Sequence, residues 1–164
     1  MIKKYTILGF DPGLADTGFG VICRENNKLQ FLTCGSIKTK AGRSFSSRIL
    51  EIYQEVSKLL TEYKPDLVAV EKLYFAKNTK TAIDVSQARG VLLLAIVEHG
   101  TALVELTPLQ VKQAVAGDGQ ASKRQVGAMV KTLLQLSAVP KPDDAADALA
   151  IAIAGASFNP LLRK

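Results

Sequence analysis

The chain has 164 residues, 48% of them hydrophobic, and a formal net charge of +6. That length fits one domain with a real core, and no uninterrupted apolar run approaches the ~20 residues of a membrane-spanning helix. The start of the chain lacks the long apolar stretch and cleavage site of a signal peptide, so a cytoplasmic location is expected; two cysteines and one histidine argue against a Cys/His zinc centre.

In chain order, Tyr5–Phe10 reads as a short buried strand closed by the turn Asp11-Pro12-Gly13, where Pro fixes φ and Gly accepts positive φ. Gly18–Arg24 and Leu29–Ile37 read as two further strands joined at Asn26-Asn27. A two-residue turn there sets Cys23 opposite Gln30 and Cys34 opposite Phe19, so no disulfide is expected. Phe45–Tyr63 is an amphipathic helix with Ile49, Ile52, Val56, Leu59 and Leu60 at helical spacing. Leu67–Val70 is a continuous apolar run, as a strand covered on both faces should be, and Glu71 follows it. A polar loop over 72–80 carries Tyr74 and Phe75. Thr81–Glu98 is a second long helix, apolar on more than one side, and Ala102–Leu106 is another strand. Thr107 with Pro108 and Gln110, then Ser122 with Gln125, are helix-start signals of the capping-box type. A last helix runs from Asp144 to about Ala156 and is rich in alanine. The order β-β-β-α-β-α-β-α-α-α predicts an α/β fold: a mixed sheet, antiparallel meander first and parallel strands after, with helices on its faces. Residues 1–157 are expected to form one domain, with 158–164 as a short tail.

Four acids occupy the informative places. Asp11 and Glu71 stand where strands end; Asp144 and Asp147 lie three apart at a helix start and so share a face. Each has a bland reading: Asp-Pro-Gly is a common turn, acids often follow strands, and acids favour a helix N-terminus anyway. Together, on a helix whose small side chains permit close approach to a sheet, they can converge on one spot. Such a cluster repels itself unless a hard divalent cation neutralises it. The surrounding chain is basic. Lys38, Lys40, Arg43 and Arg48, then Lys72, Lys77 and Lys80, form acid-free stretches, with Arg89, Lys112, Lys123 and Arg124 beyond them. Solvated loops explain either stretch alone; together they favour a phosphate-binding surface and so metal-dependent chemistry on a polyanion.

Gly9-Phe10-Asp11-Pro12-Gly13 with Thr17-Gly18-Phe19-Gly20-Val21, Val70-Glu71 with Tyr74-Phe75-Ala76-Lys77-Asn78, and Ser86-Gln87-Ala88-Arg89-Gly90 are three of five ordered motifs. The others are Gln110-Val111-Lys112-Gln113 with the glycines 117 and 119 and Lys123, and Asp144-Ala145-Ala146-Asp147-Ala148-Leu149-Ala150. In order and spacing they resemble the RuvC family of Holliday-junction resolvases over nearly the whole chain. The resemblance implies an RNase H-like fold with a five-stranded sheet and a homodimer on four-way junction DNA. It also implies paired nicks leaving 5′-phosphate and 3′-hydroxyl ends, in recombination and repair. By the same resemblance Asp11, Glu71, Asp144 and Asp147 are the catalytic metal ligands, for two Mg²⁺ per subunit with Mn²⁺ as a substitute. Lys112 and Lys123 match its catalytic lysines, and Tyr74, with Phe75 beside it, its stacking aromatic. Lys72, Lys77, Lys80, Arg89, Lys112, Lys123 and Arg124 complete the expected DNA contacts, and a branch-migration complex of the RuvA and RuvB type is the expected partner. The chain departs from the family in carrying Lys72 where Gln is common after the strand-end Glu, and Tyr74 where Phe is common. An actin-type ATPase and a binding-only junction module are the rival readings; the first is usually much longer, and the second would leave the acids as surface caps.

Overall fold

The computed structural model describes residues 4–73 and 79–158. Three antiparallel strands, β1 (Lys4–Asp11), β2 (Asp16–Glu25) and β3 (Lys28–Lys38), are followed by helix α1 (Phe45–Tyr63). Then come β4 (Leu67–Glu71), α2 (Thr79–Glu98), β5 (Ala102–Leu106), α3 (Pro108–Ala116), α4 (Lys123–Leu133) and α5 (Asp143–Phe158). The strands form one mixed sheet in the order β3-β2-β1-β4-β5, with β1 and β2 antiparallel and β1, β4 and β5 parallel.

Local chemistry sets the boundaries. Both expected capping boxes form: the Thr107 hydroxyl accepts from Gln110 N–H while Gln110 reaches back to Thr107 N–H, and Ser122 and Gln125 do the same for α4. Each box satisfies two amides that the first helical turn leaves orphaned. The β2–β3 hairpin differs from expectation in one respect. Cys23 does face Gln30, but Val21 pairs with Thr33 and Ile22 with Phe31, so Leu32 is an extra residue on β3. This bulge moves Cys34 from Phe19 to a place opposite Gly20. Both cysteines are free, as expected.

Alternation along the strands divides the core. Leu8, Phe10, Val68 and Val70 face α1 and α2, meeting Ile52, Val56, Leu92 and Ile96. Ile7, Leu67 and Ala69 face the other way, onto α5 and the α3–α4 pair, against Leu149, Ile153, Val111 and Val130. Helices therefore cover both faces. With Phe10 and Val70 on the α1–α2 side, the period of two sends the next side chains, Asp11 and Glu71, to the α5 side. No described helix is long and apolar enough to cross a membrane.

Candidate active site

Two positions on neighbouring strands begin the site. Phe10 pairs with Val70 in the parallel β1–β4 ladder, so Asp11 and Glu71 leave adjacent strands side by side at the carboxyl edge of the sheet. Ligand sites of open α/β sheets collect at that edge.

Helix α5 brings the other two acids, and glycine makes this possible. A Cβ on Gly9 would stand 2.2 Å from the Ala148 carbonyl oxygen, one on Gly18 2.0 Å from that of Asp144, and one on Gly20 2.8 Å from Leu149 N. The backbone of α5 thus lies directly on the glycines of β1 and β2. The helix is buried from Ala148 to Ala156, and its first turn overhangs the strand ends. One carboxylate oxygen from each of Asp11, Asp144 and Asp147 can be chosen so that all three lie within 4.8 Å of one another. Glu71 joins Asp11 and Asp147 in the wall of a cleft of about 200 Å³, which Lys112, Lys123, Pro108, Val111, Val126 and Ala150 complete.

The electrostatics follow from that crowding. Burial pushes the Asp11 carboxyl up to about 7, and the charges of Glu71, Asp147 and Asp144 add to it against the pull of Lys123. Burial, then the Asp147 charge, pushes Glu71 up to about 7 as well, opposed by Lys112. Asp144 is raised by burial and by Asp16 and Asp147. Lys123 Nζ lies 2.9 Å from Asp147 Oδ2 and 3.7 Å from Asp143 Oδ2. The hydrogen bond to Asp147 holds its ammonium above the usual lysine range. Hard oxygen donors crowded in one nest where positive charge is short are a fitting donor set for a divalent cation.

Of the other expected residues, Lys112 lies half-buried on α3 and lines the cleft with Glu71, while Lys72 and Arg124 are exposed. Among the described residues Lys72 forms no ion pair, so the extra cation after Glu71 leaves that carboxylate alone. Arg89 turns inward, onto the Glu71 carbonyl and Glu105. Tyr74, Phe75, Lys77 and the Lys80 side chain lie outside the described residues. Asp16, at the start of β2, was not expected at the site, yet its charge acts on Asp144, and its Oδ1 is buried without a hydrogen-bond partner. In sequence it reads only as a polar residue before a strand.

A mixed sheet in this order, with acids at the ends of β1 and β4 met by an alanine-rich helix, is an RNase H-like architecture. Comparison with known proteins narrows the class. A family described as "Crossover junction endodeoxyribonuclease RuvC" matches residues 7–155. A protein of that name from Natranaerobius thermophilus is 52% identical over 147 residues, 90% of this chain and 91% of the relative. The structure of Thermus thermophilus RuvC superposes with a TM-score of 0.86 at 35% identity, covering 93% of this chain and 94% of that one. The same protein in complex with a Holliday-junction substrate gives 0.85 at 34% identity, with 93% and 94% covered. The chain belongs to the RuvC family of crossover junction endodeoxyribonucleases.

Proposed function

We propose that this chain is a structure-selective endonuclease that resolves four-way DNA junctions by paired, symmetric nicks. The observation that carries the proposal is the meeting of Asp11, Asp144 and Asp147 oxygens in a cleft shared with Glu71, Lys112 and Lys123, in a chain of this family. Residues 1–157 act as one nuclease domain, with 158–164 as a tail. Its place of action is the cytoplasm.

Asp11, Glu71, Asp144 and Asp147 hold the divalent cations, two Mg²⁺ per subunit with Mn²⁺ able to replace them. When bound, such ions activate water and neutralise charge on the phosphate and the departing oxygen. The chain's own residues do the rest. The carboxylates fix the edge against which the scissile phosphate docks. Lys112 and Lys123 bring positive charge to the side where negative charge develops. A water oxygen bonds to phosphorus and gives up a proton to solvent, the bond to the 3′ oxygen breaks, and that oxygen takes a proton from solvent, leaving 5′-phosphate and 3′-hydroxyl ends. Lys72, Lys77, Lys80 and Arg124 track the backbone; Tyr74 and Phe75 stack on unpaired bases, a contact of ~1–3 kcal/mol each. A branch-migration complex of the RuvA and RuvB type delivers the junction.

Two copies are needed to cut two strands symmetrically. Supporting this is a stripe on α2, Ile83, Gln87, Gly90, Leu94 and Val97, exposed on one helix face; Ile83 and Val97 are 65% exposed and Leu94 is 52% exposed.

Asp11→Asn tests the proposal on a synthetic four-way junction. Cleavage should fall roughly 10³-fold, as when several kcal/mol of charge stabilisation is lost, while junction affinity in chelator stays within about twofold of the parent. Unimpaired cleavage would refute it.

A further inference from the structure

The β4–β5 ladder runs one residue past the end of β4. Lys72 N–H donates to the Leu106 carbonyl at 2.7 Å, which turns the backbone of residue 72 toward β5. By the alternation of a parallel ladder, the Glu71 carbonyl then points to the β1 side. With Phe10 paired to Val70, its next donor there would be the amide of residue 12. That residue is Pro12, which has no N–H. The proline that ends β1 therefore leaves the Glu71 carbonyl without a ladder partner.

Arg89 fills the vacancy. Its Nε–H donates to the Glu71 carbonyl at 3.0 Å, and a terminal guanidinium nitrogen pairs with Glu105 Oε2. The Arg89 side chain is 17% exposed, and α2 packs on the sheet face carrying Phe10 and Val70, opposite the face that bears the acids. Glu105, on the same side as Arg89, anchors the fork. Arginine suits this task because its donors sit in one rigid, preorganised fork, whereas a lysine offers a compact charge on a flexible stem.

We infer that Arg89, anchored by Glu105, is a positioning residue that locks the Glu71 peptide from behind the sheet and so presets its carboxylate for cation capture. The inference rests on the nuclease reading above. A ligand carboxylate must be held to within ~0.5 Å, and loss of an outer partner typically costs a site about 10–100-fold in cation affinity or turnover. Arg89 thus belongs to the cation site and not to the DNA-contact surface.

The test measures Mn²⁺ affinity by calorimetry without DNA, junction affinity in chelator, melting temperature in chelator, and cleavage. Arg89→Gln should weaken Mn²⁺ binding about 10-fold and lower kcat about 10–100-fold, with junction affinity in chelator unchanged. Glu105→Ala should weaken Mn²⁺ in the same direction, and Glu105→Gln, which keeps an acceptor for the guanidinium, should recover most of that loss. If Arg89→Gln does not fold, the Glu105 pair carries the test. Unchanged Mn²⁺ affinity with a lowered melting temperature would overturn the inference by making Arg89 a brace alone. Unchanged Mn²⁺ affinity with weakened junction binding would overturn it by making Arg89 a DNA contact. In both of those outcomes the parent still binds Mn²⁺ and cleaves; a parent that does neither overturns the nuclease reading along with the inference.

Discussion

Asp11 and Glu71 pay for their position in protons: burial and the neighbouring carboxylates push each carboxyl up to about 7. Their unfolded values lie near 3.9 and 4.3. A carboxyl raised on folding contributes stability that is present below its unfolded pKa and lost as pH rises through its folded one. The melting temperature in chelator should therefore fall between about pH 4 and pH 7, as far as these two groups govern it. At pH 8 the double variant Asp11→Asn with Glu71→Gln should melt roughly 3–8 °C higher than the parent in chelator, given about 2–4 °C per kcal/mol for a chain of this size. Added Mn²⁺ should stabilise the parent most at that pH and leave the variant unmoved; a flat chelator profile would count against the crowded nest. Lys123 is the internal cation closest to filling the role, 2.9 Å from Asp147. It competes for an oxygen that a metal would use, so Lys123→Gln should tighten Mn²⁺ binding about 2–5-fold while slowing cleavage roughly 10²-fold. Weaker Mn²⁺ binding in that variant would show the ammonium to be a scaffold for the site. Acids at strand ends and on one helix face were legible because each lies where a local rule puts it. Arg89 was not: its direction depends on Pro12 and Glu105, far away in sequence, and as a helix arginine it reads equally as a surface cation.

The glycines of β1 and β2 matter as a set at the next scale. Thr17-Gly18-Phe19-Gly20 alternates, sending both glycines to α5 and Phe19 to the opposite face. An alanine at 18 would press on the Asp144 carbonyl, a backbone atom that cannot swing aside. Gly18→Ala should then push the first turn of α5 outward and carry Asp144 and Asp147 with it. Overpacking of this kind costs about 1–3 kcal/mol, so melting should drop by several degrees, and cleavage should fall further than Gly42→Ala, whose Cβ would meet nothing within 4 Å. Differential scanning calorimetry beside a junction-cleavage assay separates the two losses; equal behaviour of the two variants would mean α5 does not ride on Gly18. The alanine content of α5 announced a close approach, and the capping residues announced where α3 and α4 begin. The bulge at Leu32 was hidden, because nothing near Leu32 in sequence marks an extra residue, and pairing across the hairpin alone decides it.

The order of the strands is the property of the whole molecule on which the site depends. Only the direct parallel pairing of β1 with β4, to which the chain returns through α1 and its cap at Lys64, sets Asp11 beside Glu71. Sequence patterning allows several orders, since each strand reads alike wherever it sits; the antiparallel meander and the later parallel strands were legible, and the order β3-β2-β1-β4-β5 was not. The same scale governs assembly. The stripe of Ile83, Gln87, Gly90, Leu94 and Val97 advances by alternating steps of four and three, the spacing of a seam between two helices. A Cβ on Gly90 would meet nothing within 4 Å in this single chain, so its small surface leaves room for the backbone of another helix to come close. If two copies pair through this face, their acidic clefts are related by a two-fold axis, and both scissile strands of a symmetric junction can be engaged at once. Leu94→Asp with Val97→Asp replaces apolar seam positions by like charges that face each other across that axis. The double variant should sediment as a monomer where the parent sediments as a dimer, keep the parent's Mn²⁺ affinity because the cleft lies on the far face of the sheet, and bind a four-way junction at least about 10-fold more weakly, having lost the second set of phosphate contacts. On a cruciform plasmid it should accumulate singly nicked circles in place of linear product. A dimer that survives both aspartates would place the two-fold axis elsewhere on the molecule.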